Sequence, residues 1–144
     1  MNILIINGPN LNLLGLREPD IYGKQTYADL VEMIRLEAVS LGASVTFVQS
    51  NHEGNLVDAI QSAYQTADGI VINPGAYTHT SIALLDALKA VGVPAVEVHI
   101  SDPDQREEFR HVSYIRSACI ATVKGHGLNG YLEALRLLCE KQDE

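Results

Sequence analysis

The sequence predicts an α/β fold, with five parallel strands in one sheet and helices on both faces. Three observations lead there. Short apolar runs recur along the chain, most of them flanked by Gly, Pro or Asn. Stretches with apolar residues at helical spacing lie between them. The two kinds alternate, and a β-α-β order places consecutive strands parallel.

The first strand is Asn2–Asn7 (NILIIN), a continuous apolar run stopped by Gly8-Pro9, as expected for a strand buried on both faces. Ser44–Gln49, Gly69–Asn73, Ala95–His99 and Cys119–Lys124 read as the second to fifth strands. Thr26–Leu41 is the first long helix. Thr26 suits its N-cap, Asp29 follows three residues on, Leu30, Val31, Ile34, Ala38 and Leu41 recur at helical spacing, and Gly42 ends it. Leu56–Thr66 presents Leu56, Ile60 and Ala63 on one face. Ser81–Val91 is expected to turn Ile82, Leu85, Ala87 and Leu88 to the sheet. Leu128–Lys141 closes the chain, and a shorter helical turn falls within Gln105–Ile115. Five strands in this length favour flavodoxin-like winding, order 2-1-3-4-5, over a barrel. The segment Gly8–Gln25 exceeds the roughly two to six residues usual for a βα loop. A lid is the expected role, with Gly15 and Gly23 as hinges.

Composition narrows the partners. The 144 residues fit one domain, 1–144. The formal net charge is −8, and no Lys/Arg cluster makes a basic face, which speaks against nucleic acid. No apolar run approaches the roughly 20 residues of a membrane span. Cys119 and Cys139 form no CxxC pattern. With an N-terminus unlike a signal peptide, a reduced cytoplasmic protein is the simplest expectation. A small anionic substrate fits if the few arginines converge.

Ligands in an open parallel sheet bind beyond the carboxyl ends of the strands. Those ends carry Asn7 and Asn10; Asn51, His52 and Glu53; Asn73 and His79; and His99, Ile100 and Ser101, followed by Arg106 and Arg110. Strand alternation puts Glu97 and His99 on one face and Val96 and Val98 on the other. A carboxylate beside an imidazole orients the ring and favours its protonated form, which suits a general acid. A capped strand-end histidine is the plainer alternative. Tyr22 is a base only if a cation lowers its pKa. One unit charge about 4 Å away is worth roughly 4 kcal/mol at an effective dielectric near 20. Lowering a pKa by two units takes only about 2.7 kcal/mol. Arg17, on the same loop, could supply that charge; otherwise Tyr22 is an exposed loop tyrosine. His79 stands near a helix start, either as a donor to an anion or as a terminal hydrogen bond. Arg106 and Arg110 share a face if their segment is helical, and either bind a carboxylate or pair with Glu107 and Glu108.

Other chemistries lack their residues. Glu97 and His99 have no clear third partner for a metal. Gly8-Pro9-Asn10-Leu11 is neither GxGxxG nor a Walker loop, and Pro9 removes an N–H that a phosphate cradle would use, against a flavin or nucleotide binder. A receiver-type signalling module would need acidic strand ends. Ser81 and Ser101 lack a hydrolase elbow, and no lysine stands in a clearly apolar, site-facing position suited to a Schiff base. The residues alone thus reach an α/β enzyme doing acid–base chemistry on a small anion.

The segment NGPNLNLLGLREPDIYG (Asn7 to Gly23) resembles the signature of the type II dehydroquinases. NPGAYTHTSIALLDAL, EVHISD, REEFRHVSYI, QSNHEG and GYLEAL resemble further blocks of that family, in order and across essentially the whole chain. The resemblance implies a flavodoxin-like fold and cofactor-free, metal-free dehydration of 3-dehydroquinate to 3-dehydroshikimate by anti elimination through an enolate, in the shikimate pathway toward chorismate and aromatic amino acids. It implies Tyr22 as proton acceptor, Arg17 lowering its pKa and stabilising the transition state, and His99 as proton donor. Asn10 would hold a water at the enolate oxygen. Asn73, His79 and Arg110 would bind substrate hydroxyls, and the N–H groups of Ile100 and Ser101 the carboxylate. By the same resemblance Arg106 would belong to the lid side, Glu97 would support His99, and Asp86 would come from a neighbouring subunit. The family's assembly, a dodecamer of four trimers, is implied too. Asp102 stands where asparagine is expected, and Ser117-Ala118-Cys119 and Thr122 depart from the pattern in what looks like packing.

Overall fold

The computed structural model describes residues 1–16 and 19–143, without the side chains of 21, 22, 142 and 143. One five-stranded sheet organises it: β1 (Asn2–Asn7), β2 (Ser44–Gln49), β3 (Gly69–Asn73), β4 (Ala95–His99) and β5 (Ala121–Lys124). The order is β2-β1-β3-β4-β5, and every adjacent pair is parallel. This is the winding expected from the alternation of elements.

Strand parity divides the core into two layers. On one face Ile3 and Ile5 of β1, Val71 of β3 and Val96 and Val98 of β4 pack with Leu30, Ile34, Tyr131 and Leu135. These last belong to α2 (Tyr27–Ser40) and α5 (Asn129–Asp143). On the other face Leu4, Ile6, Ile70 and Ile72 meet Leu56 and Ile60 of α3 (Glu53–Ser62) and Leu84 and Leu88 of α4 (Ile82–Val91). Each face thus carries two helices.

Local chemistry sets the ends. Thr26 and Asp29 form a capping box at the start of α2, each side chain bonded to the other's backbone N–H. Ser81 caps α4 by accepting from the Leu84 N–H, and Gly92 ends it in the left-handed region (φ 67°).

Several expectations are corrected. The second long helix runs Glu53–Ser62, not Leu56–Thr66. Glu53 is favourable in its first turn, and the chain leaves helical geometry before Gln65, whose φ is +61°. On α4 Ile82 faces outward, 54% exposed, and Leu84 takes the buried place. The fifth strand begins at Ala121, because Arg116–Ala118 form a 3-10 turn that the chain must leave first. The helical turn expected within Gln105–Ile115 is present at Glu108–Arg110, but the segment that holds both arginines is not one helix. It breaks into 3-10 turns at Pro103–Gln105 and Glu108–Arg110, with Arg106 extended between them. Gly8–Gln25 holds a 3-10 turn (Leu11–Leu13) and the short helix α1 (Pro19–Tyr22), with Gly15 and Gly23 at positive φ.

Candidate active site

The carboxyl ends of β1 and β3 are locked together before any pocket forms. Asn7 and Asn73 are register partners. The Gly8 N–H donates to the Asn73 carbonyl at 2.8 Å. A Cβ on Gly8 would stand 2.2 Å from the Pro74 oxygen, so only glycine permits this approach. From there Asn10 turns into the left-handed region (φ 70°), its N–H held by Asn51 Oδ1 at 3.0 Å. Gln49 adds a bond to the Gly8 carbonyl.

Beside this junction opens a pocket lined by Pro9, Asn10, Leu11, Leu14, Asn73, Gly75, Ala76, His79, His99, Ile100, Ser101, Pro103, Arg106 and Arg110. Eight of the expected site residues thus converge: Asn10, Asn73, His79, His99, Ile100, Ser101, Arg106 and Arg110. Two arginines and two histidines line it and, among the described residues, no Asp or Glu. In a chain of net charge −8 this is a local reversal of sign. The two arginines converge although no helix joins them.

At the end of β4, His99 and the fully buried Glu97 lie on one face, with Nε2 2.6 Å from Oε2. Glu97 also accepts from Ser113 Oγ (2.6 Å), Arg116 Nε (2.9 Å) and Thr122 Oγ1 (2.8 Å). Burial alone would raise its pKa. The hydrogen bonds from His99, Arg116 and Ser113 and the His99 charge outweigh burial and hold it at about 2. An ionised carboxylate only accepts, so His99 Nε2 carries a proton and Nδ1 is left for chemistry. Thr122, read in the sequence as a packing change, is therefore a hydrogen-bond donor to this carboxylate.

His79 Nδ1 donates to the Val112 carbonyl at 2.7 Å, because a carbonyl can only accept. Burial holds this ring below its usual pKa, with the His99 and Arg110 charges acting the same way against the Val112 bond. Neutral His79 thus keeps Nε2 as an acceptor. Arg110 pairs through Nε with Glu107 and lies over the Phe109 ring at 5.1 Å. Among the described residues, the Ile100 and Ser101 N–H groups have no acceptor, while their carbonyls accept from Gly127 and Gly125. Asp86 stands exposed on α4 and does not line this pocket. Arg17 and the Tyr22 side chain lie outside the described residues.

Sequence reasoning missed Ser113, Arg116 and Tyr131. Tyr131 is fully buried on α5, and its hydroxyl meets both Asn7 and Asn73. No spacing rule signals any of the three. Thr122 was discoverable, since it is the register partner of Glu97.

A flavodoxin-like sheet with a basic pocket at its carboxyl edge, and a buried carboxylate behind one histidine, defines an enzyme of acid–base chemistry on small anions. The chain belongs to the class II dehydroquinases: the family model described as Dehydroquinase class II matches residues 1–139. It is 56% identical to a 3-dehydroquinate dehydratase of Corynebacterium glutamicum (strain R) over 136 residues, covering 94% of each chain. It is 53% identical over 142 residues to a 3-dehydroquinate dehydratase of Caldicellulosiruptor bescii, covering 98% of each. A type II dehydroquinase structure from Butyrivibrio crossotus superimposes with a TM-score of 0.94 at 52% identity, over 96% of this chain and 97% of that one.

Proposed function

We propose that this chain dehydrates 3-dehydroquinate to 3-dehydroshikimate, as a type II 3-dehydroquinate dehydratase of the shikimate pathway. The observation that carries the reading is the pocket itself, which is basic, free of carboxylates among the described residues, and built around the His99–Glu97 pair. A hydroxylated anion matches that lining.

Each group takes a role its chemistry supports. Tyr22, as the phenolate, accepts the proton beside the ketone, and the electron pair moves to the carbonyl oxygen as an enolate. Arg17 holds the phenol in its ionised form and offsets the developing charge. Asn10 holds a water at the enolate oxygen. His99 then gives the proton on Nδ1 to the departing hydroxyl as the C–O bond breaks, on the opposite face to Tyr22, and water leaves. The N–H groups of Ile100 and Ser101 receive the substrate carboxylate. Asn73, His79 and Arg110 receive its hydroxyls, and Arg106 closes the lid side. The long Gly8–Gln25 segment excludes water when substrate is bound. In a cytoplasmic homododecamer of four trimers, Asp86 of one subunit would complete a neighbour's site.

The test is a continuous ultraviolet assay for the conjugated enone, run on 3-dehydroquinate with chelator present. Full turnover is expected, without inactivation by borohydride. A requirement for added metal, or a borohydride-trapped lysine, would overturn the mechanism.

A further inference from the structure

We infer that Tyr131 is a positioning residue, which sets the side-chain amide of Asn73 as a one-directional donor to substrate. The inference rests on Asn73 being a substrate contact, as proposed above. Tyr131 reaches the strand ends from the far end of the sequence and is fully buried. Its hydroxyl donates to Asn7 Oδ1 at 2.6 Å and accepts from Asn73 Nδ2 at 2.9 Å. The Asn7 amide nitrogen in turn points at the Tyr27 hydroxyl, 3.4 Å away.

The polarity of this chain is fixed. A phenol owns one proton, and here it is committed to Asn7. Only a lone pair is left for Asn73, so the amide nitrogen of Asn73 must face Tyr131. At its other end, Asn73 Oδ1 accepts the Gly75 N–H at 3.1 Å. Gly75 is held at φ +61° against Pro9, so that N–H does not turn away freely. The amide is thereby held at both ends against a flip. Its second N–H has no partner among the described residues, and Asn73 lines the pocket. Asn73 therefore offers a hydrogen to a substrate oxygen, and α5 takes part in recognition without touching the ligand.

The phenol does not participate in the chemistry, so its loss should weaken binding and leave the chemical step alone. Tyr131→Phe should raise KM for 3-dehydroquinate at least fivefold with kcat within twofold. Asn73→Ala should also raise KM, and adding Tyr131→Phe to it should raise KM no further. A folded Tyr131→Phe with KM within twofold of the parent, while Asn73→Ala raises it, would overturn the inference and leave the site reading standing. So would multiplicative effects in the double variant. An unchanged KM in Asn73→Ala would instead remove the site reading and this inference with it. Where Tyr131→Phe does not fold, 1H–15N spectra of the parent protein serve. Of the two Asn73 side-chain amide protons, only the one not bonded to Tyr131 should move when 3-dehydroshikimate binds. Equal shifts in both, or none in either, would overturn it.

Discussion

Glu97 Oε2 lies 2.6 Å from His99 Nε2, two residues along the same face of β4, with the carboxylate fully buried. One ring nitrogen is committed to Glu97, which leaves the other for the pocket that His99 lines and for the acid role proposed above. His99→Ala should therefore lower kcat by about 10² to 10⁴, the range typical of a lost general acid. Glu97→Gln keeps the shape but loosens the ring's orientation, and should cost about 10- to 100-fold, as supporting partners typically do. Enone formation followed at 25 °C checks both.

The same carboxylate governs acid stability. Glu97 titrates at about 2 in the folded chain against 4.5 ordinarily: burial raises it, and the bonds from His99, Arg116 and Ser113 more than reverse that. Between these values the unfolded chain holds a proton that the folded one does not. The stabilisation is complete above about pH 4.5 and is lost as pH falls toward 2. Its size is about 3 kcal/mol. Urea midpoints measured from pH 6 down to pH 3 should fall steeply below 4.5, and the Glu97→Gln variant should show a shallower fall.

Arg110→Ala removes a charged donor from the pocket. Hydrogen bonds to charged groups contribute about 1.5–3 kcal/mol, so KM for 3-dehydroquinate should rise about 10- to 100-fold. His79→Ala loses a neutral acceptor and should raise KM less. Initial-rate curves separate the two.

Gly8→Ala drives a methyl group into the Pro74 carbonyl at 2.2 Å. Overpacking ordinarily costs about 1–3 kcal/mol, and here the obstacle is backbone. The expected loss, at least about 3 kcal/mol, should appear in the urea midpoint, with activity falling because the Asn10 turn is displaced.

Tyr22→Phe should nearly abolish turnover while substrate still binds, measured by single-turnover rates and direct titration. Full activity would remove Tyr22 as the base.

Most of the fold was legible because the strands are nearly pure apolar runs. A two-sided buried strand admits few polar residues, so Asn2–Asn7 and Gly69–Asn73 announce themselves. The start of α3 was not legible: Glu53, Gly54 and Asn55 carry no apolar signal, and the helix gains those residues through its first turn rather than its packing. The site divides the same way. Pocket residues sit at strand ends, where topology says to look. Arg116 and Tyr131 act on Glu97 and Asn73 from 19 and 58 residues away, and only the folded chain brings them near.

Asn7, Asn73 and His99 hang from the three interior strands, β1, β3 and β4, while β2 and β5 form the margins of the sheet. Margins breathe; interior ladders release their amide hydrogens only when the domain opens as a whole. These three side chains therefore share the lifetime of the sheet, whereas the pocket walls from Pro9 to Leu14 and Pro103 to Arg110 stand on 3-10 turns outside it. The floor of the pocket is thus the part that outlasts its walls.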